Sequence, residues 1–367
     1  MTPEVLWRGP LFGTSDYAQE GREFVLGLDA LGTHVRVEDV PLGPHRAQLD
    51  ASVERRLRQL TVAQAGPGAT RVEHGQPTRW QPGAQVGRAQ FETDRIPDGW
   101  VAACNSVEEV WVPSTFNVET FSASGVDPER LRVVPTPIRL ADWGGDNRLE
   151  LPLPGFTFLS VFDWSLRKGW DILLAAYTDE FGPSDDVVLV LKIHSSRGHT
   201  AQELRRMVER AAGREPPPIV VLDRPLPAAE LPGLYRAADC FVLPTRGEGS
   251  ARPFLEALAA GTPVIATDWG AQSELIREDT GFPIEIKGVV RVPEAGVQET
   301  PSYRSHRWAE PAVEHLRQLM RHVYEHPEDA RARAQRARSA VGAYDTSSVC
   351  SRLCLRLLEP ALSDVRG

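Results

Sequence analysis

Glu248 and Glu256, separated by seven residues in RGEGSARPFLEALAAGTPVIATDWG (246–270), are the side chains of this sequence best placed to do chemistry. An apolar run, CFVLPT (240–245), leads into a loop holding Gly247 and Gly249. Pro253 then takes a first-turn helical position, Gly261 takes the position of a helix stop, and PVIAT (263–267) resumes as a buried strand. The order strand–loop–helix–strand sets Glu248 over the carboxyl end of a strand and Glu256 about one turn into the helix. Carboxylates accept hydroxyl hydrogens, while the free N–H groups of a helix start hold an anion. A nucleotide sugar presents that combination, with diols on ribose and sugar and a diphosphate between them. Acidic residues also gather at helix starts simply to complement the dipole. Spacing alone therefore leaves both readings open.

The segment closely resembles the E-x7-E signature of retaining glycosyltransferases with the GT-B fold, in particular the large family 4 (glycosyl transferases group 1). By that resemblance Glu248 contacts the donor sugar and Glu256 holds the ribose hydroxyls, with Gly249, Ser250, Ala251 and Arg252 also at the donor. Where the family usually has an aromatic residue and a glycine after the first Glu-Gly, this sequence has Ser250-Ala251. Further matches follow in order: FETDRIPDGWVAACNSVEEVWVPSTFNVETFSASGV (91–126), VPTPI (134–138), FLSVFDWSLRKGWDILLAAY (158–177) and YRAADCFVLPTRGEG (235–249). The first 90 residues, where acceptor contacts usually lie in this family, match only loosely.

Departure of a nucleoside diphosphate needs positive charge near the bridging oxygen. SLRKGWDILLAAY supplies Arg167 and Lys168 between a strand and a helix, at the sheet edge where open α/β folds bind ligands. The family often has an arginine five residues before this lysine, and here that position is Asp163. A carboxylate cannot neutralise a phosphate, so Arg167 is expected to provide the second cation. Around these, Gly13 in LFGTSDY is expected at the donor, where it lets backbone approach the diphosphate or acceptor, and its plain reading is a turn glycine. His74 closes the strand RVEH, and Glu92 and Thr93 close QVGRAQFE and its continuation; all three are expected near sugar or acceptor. Glu92 is a general base only within hydrogen-bond reach of the attacking hydroxyl. Trp269 follows PVIAT and either lines the sugar pocket or packs the strand end.

Composition limits the rest. The chain has 367 residues, 41% hydrophobic and 25% charged, which is enough for two soluble domains. A net charge of −9 argues against nucleic acid as partner. No run is apolar enough to span a bilayer, and MTPEVLWRGP lacks a basic-then-apolar leader. The basic runs 54–58 and 329–338 read as solvated helix surface, with at most peripheral membrane contact. Cys104, Cys240, Cys350 and Cys354 show no CxxC pair and read as reduced packing residues of a cytoplasmic protein. No metal-ligand cluster and no cofactor motif is visible, and no Gly-x-Gly-x-x-Gly follows the first strand of either domain.

The strands expected are VLWRG (5–9), HVRVEDV (34–40), RVEH (71–74), QVGRAQFE (85–92) and EVWVPS (109–114), with RVVPTPI (132–138) as an extended exit. A second series follows: 156–163, 186–194, 218–223, 240–245 and 263–267, separated by helices at 169–181, 200–213, 228–237 and 253–260. Residues 310–343 read as surface helix and 346–362 as a last amphipathic helix. This alternation predicts α/β architecture with mostly parallel sheets. The resemblance implies GT-B: two Rossmann-like domains facing a cleft, with a last helix crossing back to the first. The boundaries expected are 1–143 on the acceptor side, 144–345 on the donor side, and 346–367 for the returning helix.

The function expected from the resemblance is a retaining, metal-independent hexosyltransferase. It would move a sugar from a UDP- or GDP-sugar to a sugar, lipid-linked or other hydroxyl acceptor. A phosphorylase, an epimerase and a non-catalytic nucleotide-sugar-binding protein are the rivals.

Overall fold

In the computed structural model of the chain, the residues described are 4–363, apart from 44–45, 63–64, 152–154, 195–197, 214–215 and 224–225. They fall into two units. The chain up to Phe91, Arg95–Leu140 and the chain from Gly342 make the first; Glu92–Asp94 and Ala141–Val341 make the second.

The first unit alternates strands and helices: β1 (Glu4–Gly9), α1 (Asp16–Ala30), β2 (His34–Asp39), α2 (Ala51–Val62), β3 (Thr70–His74), β4 (Val86–Arg88), α3 (Asp98–Asn105), β5 (Glu109–Val112), α4 (Thr115–Ala123) and β6 (Leu131–Val133). The sheet order is β2-β1-β3-β4-β5-β6, with every neighbouring pair parallel. Alternation along β1 turns Val5 and Trp7 inward, where they meet Phe24, Val25 and Leu28 of α1 in one core. Ser15 starts α1 by accepting the N–H of Ala18. The strand expected over 85–92 is cut short at Arg88. Beyond it the N–H of Gln90 goes to the Tyr17 hydroxyl and that of Phe91 to the Asn117 side chain. Side chains thus take the backbone groups that a longer strand would pair.

The second unit runs β7 (Phe156–Asp163), α5 (Trp170–Glu180), β8 (Val187–His194), α6 (Ala201–Ala212), β9 (Ile219–Leu222), α7 (Leu231–Ala237), β10 (Cys240–Leu243), α8 (Arg252–Ala260), β11 (Val264–Thr267) and β12 (Phe282–Ile284). It continues through β13 (Ile286–Arg291), α9 (Glu294–Glu299), β14 (Arg307–Pro311), α10 (Val313–Glu325) and α11 (Pro327–Ala340). Six strands form a parallel sheet in the order β12-β11-β10-β7-β8-β9. The order runs outward in both directions from β7 and β10, so the sheet is doubly wound and reverses between those two strands. β10 and β11 are buried at every residue, as their unbroken apolar sequences require.

The surface helix expected over 310–343 is corrected in two ways. Arg307–Pro311 is a strand, paired antiparallel with β13. The helices behind it are half-buried, α10 through Leu316, Met320 and Val323, which recur at helical spacing.

The last helix, α12 (Thr346–Ser363), belongs to the first unit. Val349, Cys350 and Leu353 join its core, and Thr346 donates to Glu23 of α1 at 2.8 Å. All four cysteines are free thiols, and burial pushes those of Cys104 and Cys350 up to about 12. Among the described residues, no helix is long and apolar enough to cross a membrane.

Candidate functional site

The reversal of the second sheet puts the turns leaving β7 and β10 side by side. The turn after β7 carries Arg167 and Lys168, and the turn after β10 carries Glu248. Gly169 joins the first turn to α5 with φ 70, and a Cβ there would stand 2.0 Å from the Pro244 carbonyl oxygen, so only glycine fits. That close approach brings the sequence-distant cations onto the carboxylate. Lys168 Nζ lies 2.6 Å from Glu248 Oε1, and an Arg167 guanidinium nitrogen 2.9 Å from Oε2. The same arginine donates to the Gly247 carbonyl at 2.6 Å, and the Thr245 hydroxyl donates to Glu248 Oε1 at 3.0 Å.

The environment is dry, with all three charged side chains largely buried. Burial by itself would raise the Glu248 carboxyl, but the charges of Arg167 and Lys168 overcome it and bring the group down to about 2. Burial likewise opposes the charge on Arg167; the surrounding negative charge, that of Glu248 first, outweighs it and holds the guanidinium well above its ordinary value. This is an ionised cluster with two cations on one signature carboxylate. An anion arriving here meets cations already desolvated and aimed.

Sequence reasoning missed Arg246. Its Nε donates to Glu310, one terminal nitrogen to the Leu166 carbonyl at 2.6 Å, and both terminal nitrogens to the Asp171 carboxylate at 2.8 Å. The fifth N–H goes to Glu310 at 3.4 Å. With five donors used, Arg246 holds no ligand. It ties the turn before Arg167 to α5 and to β14. Its only sequence signal is adjacency to Gly247-Glu248.

The β13–α9–β14 excursion was also missed, although IEIKGVVRV (284–292) alternates like a strand. Three hydrogen bonds tie it to segments next to the cluster. Glu299 accepts from the Leu166 N–H at 2.8 Å, the Ala309 N–H donates to the Arg246 carbonyl at 3.0 Å, and the Tyr303 hydroxyl donates to Glu92 Oε2 at 3.0 Å. Glu92 and Thr93 therefore do not close a strand: Glu92–Asp94 is an irregular segment of the second unit. Thr93 is fully buried with its hydroxyl 2.7 Å from His306 Nδ1, so it is taken up inside the protein. Glu92 is half-buried, and its carbonyl oxygen would stand 2.1 Å from a Cβ at Gly247. A Trp269 ring carbon would stand 2.7 Å from that same point. Gly247 is thus the second position where a side chain has no room.

The signature helix keeps its expected place. Glu256, buried inside α8, accepts from the Tyr235 hydroxyl at 3.0 Å. Gly249 and Arg252 are buried and Ser250 is half-buried. Ala251 starts the helix with φ 55, a left-handed conformation at the position where the resemblance expects glycine. Asp163 ends β7 beside His194, with 3.8 Å between carboxylate and imidazole.

Gly13 and His74 belong to the first unit. Gly13 follows β1, and its carbonyl accepts from Arg22 at 2.9 Å. His74, expected to line a sugar site, is instead an interior residue with its side chain fully buried. Its Nε2 is 3.0 Å from Glu20 Oε2; the Glu20 carboxylate also takes Arg88 at 2.5 and 3.1 Å and the Thr136 hydroxyl at 2.6 Å. Trp7, Phe24 and Tyr17 pack edge-on around the imidazole. Burial lowers the His74 value despite Glu20.

Among the described residues, no group of three or more His, Cys, Asp and Glu side chains is arranged to hold a metal ion.

Comparison with known proteins bears on the same region. A 29% identical relative, D-inositol 3-phosphate glycosyltransferase of Acidothermus cellulolyticus, aligns over 187 residues, 48% of this chain and 41% of the relative. A lipopolysaccharide core biosynthesis mannosyltransferase, LpsB of Rhizobium meliloti, is 44% identical over 77 residues, 19% of this chain and 22% of that protein. The alignments thus span less than half the length of these relatives. Among solved structures, Anabaena HepE in complex with UDP and glucose superposes with a TM-score of 0.69 at 14% identity, covering 97% of this chain and 100% of that one. At that identity the likeness shows the fold, which is GT-B. The family model for glycosyl transferases group 1 matches residues 154–294, the stretch that carries Arg167, Lys168, Glu248 and Glu256, and by this match that stretch belongs to the group 1 family.

Proposed function

We propose that the chain is a retaining glycosyltransferase of the hexosyltransferase type, moving a sugar from a UDP- or GDP-sugar to a hydroxyl acceptor. The observation that carries the reading is the convergence of Arg167 and Lys168 on Glu248 at the reversal of the sheet. The donor diphosphate takes over the two cations. Glu248, released from them, accepts a hydroxyl hydrogen of the donor sugar, and Glu256 does the same for ribose. Gly249, Ser250, Ala251 and Arg252 frame the donor, and Trp269 lies against the sugar. The bond from the anomeric carbon to the diphosphate breaks while the acceptor oxygen bonds to that carbon on the same face. The acceptor proton leaves on the departing phosphate oxygen. No enzyme nucleophile is required, and the two side-chain cations do the work that a divalent metal would otherwise do.

Family membership of residues 154–294 supports the reaction class, and the UDP held by HepE supports uridine among the donor bases. The names of the relatives keep inositol phosphate and lipopolysaccharide core sugars among the acceptors to try. The reaction is proposed for the cytoplasm, with at most peripheral membrane contact.

The test is a panel of UDP- and GDP-sugars against sugar, polyol and lipid-linked acceptors, read by nucleoside diphosphate release with a chelator present. Acceptor-dependent release with an α-linked product from an α-linked donor supports the proposal. Release that needs inorganic phosphate makes the chain a phosphorylase, and donor binding without turnover across the panel makes it a binding protein.

A further inference from the structure

Glu92 is a second carboxylate whose charge acts on Arg167, and what holds it is the excursion. Segment 92–94 is laced to 303–307 residue by residue. Tyr303 donates to Glu92, Thr93 pairs with His306, the Arg307 N–H donates to the Asp94 carboxylate at 2.7 Å, and the Asp94 N–H to the Arg307 carbonyl at 3.0 Å. The Glu92 backbone lies against Gly247, whose carbonyl accepts from the Arg167 guanidinium. Arg167 thus touches Glu248 directly and feels the charge of Glu92, whose backbone packs on the same Gly247.

We infer that the Tyr303–Glu92 pair sets how much of the Arg167 charge is available to an incoming anion, making Tyr303 a positioning residue for the diphosphate site. The hydroxyl of Tyr303 occupies one oxygen of Glu92 and restrains the carboxylate from turning onto Arg167. Burial, reinforced by Glu92, holds the Tyr303 phenol well above its ordinary value, so it stays a neutral donor. Without that donor, Glu92 turns to Arg167, the cation its charge already acts on, and a diphosphate then competes with two carboxylates for Arg167. The inference rests on the reading of Arg167 and Lys168 as phosphate-binding cations.

The two partners therefore act with opposite sign, which a purely structural contact would not do. The experiment titrates UDP and GDP into the full chain by calorimetry, with melting temperature as the folding control. Tyr303→Phe should weaken nucleotide binding by about three- to tenfold, and Glu92→Gln should strengthen it by a similar factor. In the Glu92→Gln background, Tyr303→Phe should change affinity less than about twofold, because no carboxylate remains to be released. Equal loss from Tyr303→Phe in both backgrounds would reduce Tyr303 to packing and overturn the inference. Weaker binding in Glu92→Gln would also overturn it, by making Glu92 itself a ligand contact. Arg167→Ala is the control for the underlying reading: if it leaves nucleotide affinity unchanged, the phosphate assignment of Arg167 falls, and the inference with it.

Discussion

Each sheet carries a buried charged cluster at the carboxyl ends of its strands, and the two are balanced differently. In the first unit a single carboxylate, Glu20, takes Arg88, His74 and Thr136, and burial disfavours protonation of the imidazole. One guanidinium against one carboxylate closes the account. In the second unit the single carboxylate Glu248 is touched by Arg167 and Lys168 together, one positive charge more than that contact balances, while Glu92 is held by the Tyr303 hydroxyl instead. The support differs too. Arg88 ends a strand and is fully buried, whereas Arg167 and Lys168 sit in a turn, with Arg167 15% exposed. A charged cluster that balances itself on rigid elements is architecture, and one with surplus charge on a turn is a candidate site.

Breaking the balanced cluster should have the largest effect. Glu20→Gln leaves Arg88 buried without a counter-charge, and removing one partner of such a pair costs about 3–5 kcal/mol. The expected outcome is a large drop in the denaturant midpoint, with nucleotide affinity of the folded fraction within about twofold of the parent. A loss below about 1 kcal/mol would mean that water or rearrangement satisfies Arg88.

Breaking the surplus cluster should act on rate instead. In the proposed reaction, charge on the leaving diphosphate grows towards the transition state, so Lys168→Ala should lower turnover by about 10²–10³-fold. Donor affinity should fall by less, and neither magnesium nor manganese should restore the rate. Steady-state kinetics with the donor found in the panel decides this. Equal losses in turnover and affinity would make Lys168 a binding residue only.

A smaller effect sharpens the comparison from the backbone side. Ala251 opens α8 in a left-handed conformation that costs a non-glycine residue about 1–2 kcal/mol. Glycine regains unfolded-state entropy, so Ala251→Gly should gain only about 0.5–1 kcal/mol. A melting temperature that rises by a few degrees would bear this out; a fall would show that the Ala251 methyl group packs usefully enough to offset the strain.

The strand–loop–helix around Glu248 was legible because its punctuation is local: glycines in the loop, Pro253 in the first helical turn and Gly261 at the stop. The alternation of apolar runs gave both sheets for the same reason. The partners were not legible. Glu92 and Tyr303 lie 211 residues apart, and Arg246 reaches Glu310 across 64. Nothing in a linear reading says which distant acid a buried arginine meets. Nor could it say that β4 would stop at Arg88, since that end is set by Tyr17 and Asn117, side chains from other elements. His74 misled because a lone histidine at a strand end looks alike whether it faces solvent or the interior.

That histidine gives the gentlest test of the contrast, through pH. The folded His74 lies below its ordinary value of 6.5, because burial among Trp7, Phe24 and Tyr17 and the charge of Arg88 outweigh the hydrogen bond to Glu20. As pH falls through 6.5, the unfolded chain takes up a proton at this residue that the folded chain does not. His74 therefore contributes stability that is present above 6.5 and lost as pH falls from there towards its folded value. One such proton gives a slope of at most about 1.4 kcal/mol per pH unit. Glu248, brought down from its ordinary 4.5 to about 2, gives its slope mainly below that window, so the site cluster adds little there through that carboxylate. His74→Gln keeps a donor for Glu20 but cannot titrate. Subtracting its stability–pH curve from the parent's, by urea melts between pH 5 and pH 8, should leave a difference that rises with pH and flattens above 6.5. A difference that does not change with pH would mean that His74 titrates alike in both states, and its place in a closed interior cluster would be wrong.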